Sequence, residues 1–371
     1  MRVNIRRLSI LLLMLLFLFP LASCLASTNR VIFEEKGIIL EYGIIFDLQV
    51  HGDYVYTLEQ YNGLEIFDCS DLENIVKIGG FPTSYGHSLY INGSKSIAYL
   101  LDPKVGLIII DISDKTTPVE IGKYTDVSGT NFQVVGNRIF LGDEDNGLKV
   151  IDISNRSNPA LLTSWADTDD GGHVGSIYVH ENFAFVNLRL PQSSGPPTPL
   201  ALKILDISDI SNIREIYTLM DETNNYDGGF VELIEDNLLY VNDYSNGLNI
   251  FNFSDPTNPI LIGEYKDEGE ANSFAKQNEL IFLANGLNGL TVLDISDISK
   301  IKEIGTYSTG EYTARIDLKS ESNLVYLGTV RGGVQIVSYA VSSSRTSNGL
   351  TFPIILFACC TLLINRPKKP T

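Results

Sequence analysis

The side chains with the greatest capacity for chemistry lie in three neighbouring stretches. ADTDDGGH (Ala166–His173) carries Asp167, Asp169, Asp170 and His173, and MDETNNYDGG (Met220–Gly229) carries Asp221, Glu222 and Asp227. Between them runs the proline-rich RLPQSSGPPTPL, which opens at Arg189. Carboxylates at this density are hard oxygen donors suited to Ca²⁺ or another divalent cation, and a metal so held would serve hydrolase or lyase chemistry. Left without metal, the same groups form an acidic surface for a protein, peptide or glycan partner. The four histidines show no pair at metal-ligand spacing, and the chain has no Gly-Xaa-Ser-Xaa-Gly elbow, P-loop or zinc signature. The expectation is therefore binding without catalysis and without a cofactor, with Ca²⁺ as the cation these acids would take if they take one.

Other acids recur too regularly to be catalytic. Asp68, Asp111, Asp152, Asp206 and Asp294 occupy one position of a repeat, with Asn252 and Ser338 as substitutes, and a serine follows two residues on in six of the copies. An enzyme needs its acid once, whereas Asp and Ser side chains commonly tie up backbone N–H groups at turns. GDEDNG (Gly142–Gly147) looks like part of a calcium loop, but its counterparts end YNG, SNG and LNG, which reads as a hairpin turn. His51 and His180 fall at turns. His87 and His173 stand where innermost strands begin.

What must position these groups is a sevenfold repeat. GLEIFDCSD (from Gly63), GLIIIDISD (Gly106), GLKVIDISN (Gly147), ALKILDISD (Ala201), GLNIFNFSD (Gly247), GLTVLDISD (Gly289) and GVQIVSYA (Gly333) follow one another at spacings of 41 to 54 residues. Such a period, filled with short strands, is the sequence sign of a β-propeller with one repeat per blade. The third repeat is the cleanest: NFQVV, the turn Gly136-Asn137, RIFLGD, a turn ending at Gly147, LKVIDIS, a loop to Pro159, then ALLTSW. The fold expected is all-β: a seven-bladed β-propeller of four-stranded antiparallel blades, whose strands are named A to D from the channel outward. The last repeat stops after its C strand at Tyr339, and IILEY (Ile38–Tyr42) resembles an orphan D strand, so it is expected to close the ring.

The repeat unit resembles the LVIVD repeat family, whose units read as an apolar strand, Gly-Asn, an aromatic strand, GLxIIDIS and a Pro-containing loop. The resemblance covers residues 38–340 and implies a propeller in a surface or secreted protein, with no shared catalytic residues to carry over. The fourth repeat departs through Ala201 and its insertion, the seventh through Ser338 in place of the acid.

The formal net charge is −18 and both termini are basic, so the repeat region is more acidic still, which disfavours nucleic acid. Residues 1–26 read as a signal peptide, and Leu21-Ala22-Ser23-Cys24 resembles a lipobox that would lipidate Cys24. Residues 27–340 form the propeller, 341–349 a Ser-rich linker, 350–364 an apolar transmembrane helix and 365–371 a cytoplasmic tail with Arg366, Lys368 and Lys369. The chain is thus expected at the cell membrane with its propeller outside the cytoplasm. Cys69 sits at a strand position filled elsewhere by Ile112, Ile153 and Ile295 and is expected as a buried free thiol. Asn92 and Asn155 lie in turn sequons and are candidate glycosylation sites.

Strand polarity locates the binding face. In an antiparallel blade the D–A and B–C connections emerge on one face, and the A–B and C–D connections on the other. The three chemistry-bearing stretches are two D–A connections and one B–C connection of blades 3 to 5, hence one sector of one face. The readings this supports are a partner-binding propeller, a metal-dependent hydrolase or lyase on the same face, or a structural repeat of the envelope.

Overall fold

Each repeat turns where it does because two kinds of residue leave the backbone no alternative. A glycine opens or immediately precedes the C strand in six blades, and Gly63, Gly106, Gly147, Gly247, Gly289 and Gly333 have φ between +70° and +113°, a region L side chains avoid. At the far end of that strand the repeat acid closes a local turn. Asp68 accepts from the N–H of Ser70 at 2.9 Å, Asp111 from Ser113 at 2.8 Å and Asp152 from Ser154 at 2.8 Å, and Asp206, Asn252 and Asp294 do the same. Between acid and serine, the N–H groups of Cys69, Ile112, Ile153, Ile207, Phe253, Ile295 and Tyr339 donate to A–B turn carbonyls at 2.7–3.1 Å. The recurring acids are turn residues.

The computed structural model describes residues 28–40, 43–143, 147–166, 173–189, 201–219, 230–243, 247–266 and 269–344. Within Phe33–Tyr339 these make seven four-stranded antiparallel sheets, a seven-bladed β-propeller. Blade 3 has strand A at Gly129–Val135, B at Arg138–Asp143, C at Gly147–Asp152 and D at Ala160–Trp165. The A strands of the other blades are Ile45–His51, Ser88–Asn92, His173–His180, Phe230–Glu235, Ala271–Gln277 and Thr313–Lys319.

The core lies between blades. Tyr56, Leu58, Leu64 and Ile66 of blade 1 pack on Leu89, Ile91, Ala98 and Leu100 of blade 2, and similar clusters join blades 2 to 3 and 3 to 4. B and C strands are buried on both faces, which is why they read as unbroken apolar runs such as GLIIID. Cys69 is a buried free thiol packed near Tyr326 and Ile336, and burial pushes it up to about 12.

The ring closes by a strand from the start of the chain, but not the one expected. The fourth strand of blade 7 is Thr28–Ile39, beside a C strand that runs Val334–Ser344, four residues into the segment read as a linker. Ser338 Oγ donates to the carbonyl of Glu34 at 3.4 Å. Of Ile38–Tyr42, Ile38 and Ile39 end the strand, Leu40 follows it, and Glu41 and Tyr42 lie outside the described residues. The reason is steric. A Cβ on D-strand Gly79, Gly122 or Gly263 would strike the carbonyl oxygen of Lys115, Arg156 or Ile298 in the next blade's C–D loop. Gly37 meets Leu72 O in the same way, at 2.9 Å, so EEKGII and not IILEY is the true counterpart. Residues 28–32 and 340–344 belong to a second unit, in which Ser342 Oγ donates to the carbonyl of Arg30 at 3.2 Å.

Gly122→Ala is expected to cost about 1–3 kcal/mol through forced separation of blades 2 and 3. Thermal denaturation checks it as a fall in Tm of several degrees, and an unchanged Tm would refute the close approach.

Candidate functional site

The A strand is the last strand of its sheet, so its outer N–H groups have no ladder partner and need acceptors from elsewhere. Side chains of the preceding blade supply them. Asp47 accepts from Leu89 N–H at 2.7 Å, Asn131 from Ile177 N–H at 2.9 Å and Glu232 from Phe274 N–H at 2.7 Å. Two residues further on, Gln49 accepts from Ile91 N–H at 2.8 Å and returns a bond from Nε2 to Leu89 O at 2.6 Å. Gln133 pairs with Val179 in the same two-way manner. Asp317 of blade 7 accepts from Val50 N–H of blade 1 at 2.6 Å.

These side chains make the axis polar. A cavity of about 370 Å³ is lined by all seven A strands, with Asp47, His87, Asn131, Ser176, Glu232, Asn272, Ser273 and Arg315 among its walls. The register shows how the charged members reach it. Asp47, Ser88, Asn131, Ser176, Ser273 and Arg315 hold equivalent pairing positions, and all but Ser88 directly follow a β-bulge. In blade 5 the shift falls two pairs later, so Glu232 is itself the extra residue. A bulge re-aims a side chain, here a carboxylate toward the axis.

Burial pushes Glu232 up to about 8, against the opposing pull of its Phe274 N–H bond and of Arg315. Asp317 rises to about 6 and Asp47 also rises, in both cases chiefly through desolvation. Arg315 is anchored by Nε to Phe46 O at 2.6 Å and by Nη1 to Ala314 O at 2.9 Å. Phe46 stacks on His87 with ring centroids 4.4 Å apart, and Tyr85 leans on both. The arrangement can bind and hold a proton. Among the described residues no group of three His, Cys, Asp or Glu side chains is placed to hold a metal ion.

Of the residues expected from sequence, Asp167, Asp169, Asp170, Asp221, Glu222 and Asp227 lie outside the described residues, as does Cys24. His173 opens the A strand of blade 4 and Arg189 ends its B strand, and the two are paired directly in register. Asn92 caps a short 3-10 turn by accepting from Lys95 N–H, and Asn155 is exposed and accepts from Ser157 Oγ at 2.8 Å. Asp143, from the calcium-like GDEDNG, is buried, pairs with Lys149 at 3.0 Å and accepts from Ser128 N–H. It is a structural acid. Sequence reasoning kept His87 at the channel but passed over Asp47, Glu232 and Arg315. Their one signal was a charge at an inner-strand position where other repeats carry Ser or Asn.

Fold and channel together define a β-propeller with a polar axial pocket. The LVIVD repeat is matched at residues 43–83, 94–126, 129–167, 233–267 and 268–309, more than half of the chain, and the chain belongs to that family. No curated protein matches it in sequence. Among solved structures it is similar to the computationally designed Ika8 protein, at 12% identity and TM-score 0.57 over 82% of this chain and 99% of that one. It is also similar to Chaetomium thermophilum Raptor, at 10% identity and TM-score 0.65 over 86% of this chain and 30% of that one. A third likeness is to the Myceliophteria thermophila Cps50 (Swd1) β-propeller domain, at 15% identity and TM-score 0.61, covering 83% and 99%. At these identities the likeness shows the fold alone.

The two classes of acid set opposite pH limits. Glu232, Asp317 and Asp47 hold protons more tightly folded than unfolded, so stability falls as pH rises from the ordinary carboxylate range toward about 8. The turn acids Asp68, Asp111, Asp152 and Asp206 are lowered by their serine hydrogen bonds, so stability also falls as pH drops through that range. The Tm should therefore peak near about pH 5. Glu232→Gln should flatten the decline between about pH 5 and pH 8. An identical slope in wild type and variant would show that Glu232 titrates normally.

Proposed function

We propose that this chain is a non-catalytic binding propeller, exported and held at the cell membrane, which takes a protein, peptide or glycan partner on the face where its A strands begin. The observation that carries this reading is the contrast between the two ends of the blades. At one end the turns are uniform and locked by the repeated acid–serine and A–B to C–D hydrogen bonds. At the other end lie the long connections of blades 3 to 5: from Trp165 to His173, from Arg189 to Ala201 and from Leu219 to Phe230. Variation confined to one end of a fixed scaffold is how loops acquire binding roles. The axial cavity is lined by the opening residues of the A strands and so belongs to the same end.

Export and anchoring rest on the sequence of residues 1–26 and 350–364, which lie outside the described residues. Among the described residues no helix is long and apolar enough to cross a membrane. The basic residues after Ile364 favour retention of that end in the cytoplasm, with the propeller external.

One experiment joins the two halves of the reading. Protease added to intact cells should release a soluble propeller that ends after Ser344, within residues 345–349, and retains its partner. The same treatment of cells carrying a deletion of Arg189–Leu200, with the fold retained by thermal melt, should release a propeller without partner. Full-length protein in the cytosol would overturn the placement, and undiminished capture after deletion would overturn the face.

A further inference from the structure

The axial cavity has a property the loop reading does not need: an uneven charge count. Asp47 and Glu232 face it from blades 1 and 5, and Arg315 faces it from blade 7. Asp47 and Arg315 attract each other, which among the described residues leaves one carboxylate in excess. Among the described residues His87 is the remaining titratable group on the wall, and Asp317 lies two residues beyond Arg315, bonded to Val50 N–H.

The space is larger than a bare ion would fill. About 370 Å³ is more than ten times the volume of one water, within the range of small-molecule pockets. The acids stand on different blades and do not form a group of three that could hold a metal, among the described residues. Around them the wall is made of hydrogen-bonding groups: Asn131, Ser176, Asn272 and Ser273. The Ser273 Oγ is buried and has no hydrogen-bond partner. A buried hydroxyl left unpaired costs free energy until something in the cavity satisfies it.

We infer that the axial cavity binds a small organic monocation, a primary ammonium on a hydroxyl-bearing body, with the ammonium against Glu232 and the body hydrogen-bonded to the Asn and Ser side chains. The excess carboxylate supplies the charge complement. The neutral polar wall supplies acceptors and donors for hydroxyls but no second cation site. Because burial favours protonated Glu232, uptake of the ammonium expels that proton. This is independent of partner capture by the loops.

The test uses 4-aminobutan-1-ol, with butane-1,4-diol as its neutral counterpart and Ca²⁺ alone as the inorganic cation, titrated calorimetrically into the intact propeller-bearing chain. The amine should bind and the diol and Ca²⁺ should not. Close to one proton should be released per amine at pH 7, read from two buffers of different ionisation enthalpy. Affinity should rise roughly 50-fold between pH 6 and pH 8, since the amine stays charged throughout. Glu232→Gln should abolish both binding and proton release, and its thermal melt separates loss of the site from loss of the fold. Equal binding of the diol, saturable binding of Ca²⁺, affinity that is flat with pH, or no binding of the amine would each overturn the inference. Loop capture is read on the loop-deleted protein, so either reading can fail alone.

Discussion

The N–H groups on the open edge of each inner strand are the constraint from which the rest of the structure follows. Every blade ends at its A strand, and an edge strand facing an axis has donors with no ladder to join. Water could satisfy them only in a wide, wet channel. In blades 1, 2, 4 and 6 side chains of the preceding blade do so instead, through Asp47, Gln49, Asn131, Gln133, Glu232 and Asp317. Each such bond is worth about 0.5–1.5 kcal/mol net, but an unmade one costs more, so the inner ring is fixed by avoidance as much as by attraction.

Placing acceptors there makes the axis polar and narrows it to a cavity. Where the acceptor is an amide, as at Asn131 and Gln133, the solution is purely structural. Where it is a carboxylate, the same bond leaves a titratable oxygen facing confined space. Glu232 shows the consequence: its oxygens hold Phe274 N–H and Asn242 Nδ2, at 2.7 Å each, yet burial still raises it to about 8. A scaffold requirement and a chemical capacity thus reside in one side chain. The opposite end of the blades is separated from this, since its turn acids are half-buried or exposed, locally hydrogen-bonded and lowered instead of raised.

The repeat was legible because its steric requirements recur. A leading glycine such as Gly106, a turn acid such as Asp111, or both mark the C strand of each blade, and blade number and strand order follow from them. The closing strand was misplaced because IILEY matches the apolar pattern of a D strand, while the true marker is the lone glycine at Gly37, whose missing Cβ admits Leu72 O. Apolar pattern reports burial, and close backbone approach reports register. The axial residues escaped for the opposite reason. Reasoning by repetition sets aside what does not recur, and Asp47, Glu232 and Arg315 each occur once. Glu232 is displaced further by a bulge that no sequence pattern announces.

Amide hydrogen exchange tests the central claim most directly, namely that neighbouring side chains satisfy the inner edge. The amides of Leu89, Ile177, Phe274 and Val50 have no ladder partner outward, yet should be protected to a degree comparable with the paired amides of their own strands. Asn131→Ala should release Ile177 alone, leaving Leu89 and Phe274 protected. Rapid exchange of all four in the wild-type chain, or unchanged protection of Ile177 in the variant, would contradict the account.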